Sequence, residues 1–100
     1  MRNFLIAVKE AMKKEMSREY RKPHVEFIKK YSIDESKWFE DRGVITLDIA
    51  SELNLSVKET RMRLNKLASE GSVYKSQKNA GRYCRWWVAG LSDEIRKGQS

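Results

Sequence analysis

One hundred residues with a hydrophobic fraction of 40% can fill one small core and leave little over for an enclosed active site. A count of 21 Lys+Arg against 14 Asp+Glu gives a net charge of +7, which suits a polyanionic partner such as nucleic acid or an anionic membrane surface. The single cysteine, Cys84, excludes an internal disulfide framework and any multi-cysteine zinc site, and fits a reducing compartment.

At the N-terminus the apolar run Phe4-Leu5-Ile6-Ala7-Val8 stops at Lys9 and Glu10. It is too short for a signal-peptide core or a membrane span, so a cytoplasmic protein without membrane contact is expected. Phe4, Leu5, Val8, Ala11, Met12 and Met16 recur at helical spacing and predict an amphipathic helix over about residues 2–20. Its stripe must bury against the rest of the domain or against a second copy, which leaves a homodimer open. Lys9, Lys13 and Lys14 read as a solvated face.

Pro23 closes that segment and can open the next helix, which carries Val25, Phe27, Ile28 and Tyr31. Asp34 is placed to cap a third short helix bearing Trp38 and Phe39 and ending at Gly43. Val44-Ile45 is a β-prone pair, and Thr46 follows as the expected cap of a short helix with Ile49, Ala50 and Leu53 on one face. Asn54-Leu55-Ser56 makes a tight connection. Ser56-Val57-Lys58-Glu59 reads as a capping box, and the helix it opens runs to about Glu70, where Gly71 stops it. Residues 73–77 and 83–88 are strand-like and joined through Gly81, a hairpin signal. The segment 91–100 reads as a polar, frayed tail. The expected organisation is therefore an N-terminal helix over 1–22, a domain over 23–90 and a tail over 91–100.

A short helix, a tight turn, a longer capped helix, a glycine stop and a hairpin follow one another in a fixed order. The run Ile45-Thr46-Leu47-Asp48-Ile49-Ala50-Ser51-Glu52-Leu53-Asn54-Leu55-Ser56 resembles the first half of the winged helix-turn-helix of bacterial transcription regulators. Leu64-Asn65-Lys66-Leu67-Ala68-Ser69-Glu70-Gly71-Ser72-Val73 resembles the end of its recognition helix and the entry into its wing. The nearest flavour is that of small bacterial or phage regulators of the fimbrial-operon type, and the resemblance covers about residues 43–90. It implies a mainly α fold with a small β-hairpin, here with an extra N-terminal amphipathic helix, and double-stranded DNA as partner.

A helix that enters a major groove needs an apolar inner face, here Val57, Thr60, Leu64 and Leu67. The outer side then carries Lys58, Glu59, Arg61, Met62, Asn65 and Lys66. Arg61 matches guanine and Asn65 matches adenine, each with two hydrogen bonds; Lys58 and Lys66 reach phosphates, and Met62 can meet a thymine methyl. In the wing, Lys75, Gln77, Lys78, Asn79, Arg82 and Arg85 form a second polar and basic surface, with Arg82 expected at its tip.

Trp86, Trp87 and Tyr83 can stack on unpaired bases, but adjacent tryptophans on a strand point to opposite faces and read first as core and cover. His24 stands alone without ligand spacing, Cys84 reads as a small buried apolar group, and the pairs Asp34-Glu35, Glu40-Asp41 and Asp93-Glu94 read as helix starts or solvated surface. With no nucleophile–base set, no metal site, no phosphate loop and no evident small-molecule pocket, a non-enzyme without cofactor is expected. Two other classes stand beside the DNA-binding regulator. One is a winged-helix interaction module in a replication, phage or host-takeover assembly; the other is a basic RNA-binding or ribosome-associated protein.

Overall fold

The computed structural model describes residues 3–98, so the calls on Arg2, Gln99 and Ser100 lie outside it. Six α-helices and three short strands lie among these residues: α1 (Phe4–Met16), α2 (Lys22–Lys30), α3 (Glu35–Arg42), β1 (Val44–Ile45), α4 (Thr46–Leu53), α5 (Val57–Ser69), β2 (Val73–Lys75), β3 (Arg85–Val88) and α6 (Leu91–Lys97). The sheet is antiparallel in the order β1-β3-β2, with Val44 opposite Trp86 and Tyr74 opposite Trp87. The fold is mainly helical with a small sheet, as expected, although the hairpin is the larger part of a three-stranded unit.

The central strand explains the layering. Trp86 and Trp87 point to opposite faces, and both are buried because helices cover both faces. On one side the Trp86 Nε1–H donates to Thr46 Oγ1 at the start of α4. On the other, the Trp87 indole meets Trp38 of α3 edge-on and donates to Glu35 of α3 and Ser92 of α6. Neither tryptophan is available to stack on a base, and of the three aromatic residues only Tyr83 is exposed.

In α1, Val8, Ala11, Met12 and Met16 are buried and pack chiefly on α4 and β3. The stripe thus serves its own core, and a second copy would have to use another surface. The helix ends at Met16 rather than near Tyr20, because Arg18 turns extended and a 3₁₀ turn over Glu19–Arg21 leads into α2. Of the lysines read as solvated, Lys9 and Lys13 reach Glu94 and Lys14 reaches Glu52. The two pairs with Glu94 are solvent-facing and of small individual worth, whereas the Glu52 side chain is largely covered.

Local signals set several boundaries. The Asp34 carboxylate caps α3 by accepting from the Ser36 N–H, and Pro23 stands in the first turn of α2. Gly43 ends α3 for a packing reason: a Cβ there would lie 2.8 Å from the carbonyls of both Phe39 and Trp86. Only a glycine lets helix end and sheet approach so closely.

Two expectations need correction. Thr46 is not a cap but the first residue of α4, fully buried, its hydroxyl bonded to the Gly81 and Cys84 carbonyls while accepting from Trp86. The segment after Gly90 is not a frayed tail but α6, with Leu91 buried and Ile95 half-buried against the core. Gly90 turns left-handed to start it, and Arg96 donates to the Ile28 and Tyr31 carbonyls, tying α6 to the end of α2. Glu35, read as a helix start, accepts from the Trp87 Nε1–H and the Gly90 and Ser92 backbone amides, joining α3 to β3 and to the start of α6.

Candidate nucleic-acid interface

Helix α5 begins where its sequence dictates. The Ser56 Oγ accepts from the Glu59 N–H at 3.0 Å, and the Thr60 hydroxyl donates back to the Ser56 carbonyl at 2.8 Å. The capping box is half made, because the Glu59 carboxylate turns to Arg63 at 2.9 Å. Thr60 and Leu64 are fully buried and fix the inner face, while Val57 and Leu67 are half-buried. Asn54 adopts the left-handed conformation (φ 56°) that closes the turn between α4 and α5.

With that face seated, the opposite one is open. Lys58, Arg61, Met62, Asn65 and Lys66 are all exposed, Met62 at 59%. Among the described residues, Lys58, Arg61 and Lys66 enter no ion pair, so their charge is not neutralised within the fold. The Lys75 ammonium on β2 donates to Asn65 Oδ1 at 2.7 Å and lies 5.7 Å over the Trp86 ring. Strand and helix thereby share a cleft of about 240 Å³ whose lining includes Arg61, Asn65, Lys75, Gln77 and Asn79.

The connection between β2 and β3 is strapped down rather than held out as a flap. The Ser76 hydroxyl and the Gln77 N–H donate to the Glu40 carboxylate, Lys78 pairs with Asp41 at 3.1 Å, and Thr46 holds the Gly81 carbonyl. Thus Glu40 and Asp41 of α3, read from sequence as surface, position the loop. Contacts spanning 36 and 37 residues leave no mark on a local pattern. Arg82 sits exposed on the 3₁₀ turn Gly81–Tyr83.

Arg85 does not join this group. It is half-buried, its Nη1–H donates to the Gly43 carbonyl at 2.6 Å, and burial together with the nearby Arg21 lowers its pKa. Buried Arg21 donates to the Arg42 and Gly43 carbonyls, so both guanidiniums serve as backbone ties at the end of α3. His24 stands beside them and edge-on to Trp38; burial, then Arg21, Arg42 and Arg85, lower its pKa. Buried Cys84 has its thiol pKa raised by burial. Among the described residues no group of three or more His, Cys, Asp or Glu could hold a metal ion, and no helix is long and apolar enough to cross a membrane. No family model, no curated protein and no solved structure matches this chain.

Proposed function

We propose that this chain is a sequence-specific double-stranded DNA-binding domain of the winged helix-turn-helix kind, acting in transcription regulation. Helix α5 lies in the major groove, α4 braces it, and the loop over 76–82 lies along the backbone. The observation that carries this reading is the exposed face of α5, where Lys58, Arg61 and Lys66 enter no ion pair among the described residues and surround Met62 and Asn65. A solvated helix face in a protein with 14 carboxylates would be expected to neutralise some of those charges locally. The major groove is about 12 Å wide and admits one helix of this size, offering base edges to Arg61 and Asn65 and phosphates to the lysines.

One such helix reads only a few base pairs, so occupancy of two half-sites by two copies belongs to the proposal. The buried stripe of α1 cannot serve that pairing. The test is a gel shift with duplex fragments selected from random sequence. The double substitution Arg61→Ala with Asn65→Ala abolishes site preference and leaves weak, salt-sensitive binding. Retention of the preferred site by that variant would overturn the role of α5.

A further inference from the structure

Asn65 was expected from its residue type to match adenine. Adenine presents an acceptor (N7) and a donor (N6 amino group) in the major groove, so an asparagine reads it with Nδ2 and Oδ1 together. Here the Oδ1 is engaged by Lys75 Nζ at 2.7 Å. An ammonium group only donates, which fixes the orientation of the amide: oxygen toward Lys75, Nδ2 away from it. Lys75 itself has a second restraint, the ring of Trp86, and that indole is buried and tied to Thr46.

We propose, on the reading of α5 as a groove-binding helix, that the Lys75–Asn65 pair makes this position select guanine over adenine. The pair offers the remaining ammonium protons and the Asn65 Nδ2 protons side by side. Guanine answers with two acceptors, N7 and O6, whereas the adenine amino group would meet a cation that can only donate. Arg61, one helical turn earlier in the same cleft, also only donates. Apart from Asn65 itself, the uncharged oxygen acceptors among the side chains of the cleft, Ser76, Gln77 and Asn79, lie on the loop and not on α5. Lys75 is thus a specificity residue contributed by the strand, not a phosphate contact of the wing.

The test is selection from random duplex DNA with the wild-type chain and with Lys75→Met, Lys75→Arg and Asn65→Ala. Asn65→Ala locates the base pair that the amide reads. At that base pair the wild type and Lys75→Arg select guanine, and Lys75→Met, which releases Oδ1, moves the guanine-to-adenine ratio toward adenine by on the order of tenfold. Lys75 is exposed and methionine retains an unbranched stem, so a thermal melt is expected to show the variant folded. Adenine in the wild-type site, or an unaltered guanine preference in Lys75→Met, overturns the inference while leaving DNA binding intact. Failure of the wild type to select any sequence overturns the functional reading, and this inference with it.

Discussion

The salt dependence of binding follows from which cations the fold leaves unpaired. Lys58, Arg61, Lys66, Lys75 and Arg82 are exposed on α5, β2 and the loop, and none is in an ion pair among the described residues. Lys78 is held by Asp41 and Arg85 by the Gly43 carbonyl, so neither adds a full phosphate contact. With Arg61 and Lys75 turned to base edges, the three phosphate contacts of Lys58, Lys66 and Arg82 give a slope of about −2.7 in log K against log salt, so affinity falls about 40-fold between roughly 50 and 200 mM salt. Fluorescence anisotropy of a labelled duplex over that range measures the slope directly. Replacing Lys58, Lys66 and Arg82 with glutamine flattens it to near zero and weakens binding to every sequence alike, whereas Arg85→Gln leaves it unchanged. A slope near zero in the wild type, or one that the triple replacement does not alter, would refute the assignment of this face.

Glu35→Ala removes the acceptor of two backbone amides and of the Trp87 indole, and costs about 3 kcal/mol, or roughly 15 °C in Tm; urea unfolding reads the loss, and a cost under about 1 kcal/mol would mean that the three bonds are not made. Leu91→Ala, in the segment that composition suggested was a tail, costs about 2–5 kcal/mol because Leu91 is fully buried; a surface-like cost in the same assay would show α6 undocked. His24 has a folded pKa below its unfolded value, so its contribution to stability is present above about pH 6.5 and is lost as pH falls through that region. Denaturation midpoints between pH 7.5 and 5 fall in the wild type and change less in His24→Gln; equal slopes in the two proteins would contradict the burial of a neutral imidazole.

The parts of the fold written in local chemistry were legible in the sequence. Ser56 and Gly71 bound α5, Asp34 and Gly43 bound α3, and the spacing from Val8 to Met16 identified the buried face of α1. Each rests on residues within a few positions of one another. Helix α6 escaped because its apolar residues are only Leu91 and Ile95 in a seven-residue segment otherwise polar, so its stability comes from packing on α2 rather than from its own pattern. Strand β1 has two residues, too few to show a period, and its pairing with Trp86 and Arg85 spans some forty positions. The same distance hid the ties from Glu40 and Asp41 to the loop. The exposed residues of α5 were legible one by one, but the bond between Lys75 and Asn65 was not. Its ten-residue separation crosses a helix end and a turn.

The central claim is that the open face of α5 and the adjoining loop meet duplex DNA. Titration of the isotopically labelled protein with a short duplex, followed by amide and side-chain chemical shifts, tests it most directly. Shifts concentrated at Lys58–Lys66 and at residues 75–82, with α1, α2 and α6 unmoved, are the predicted result. Saturable binding whose shifts map to α1, α2 or α6, or no binding at low salt, would contradict it.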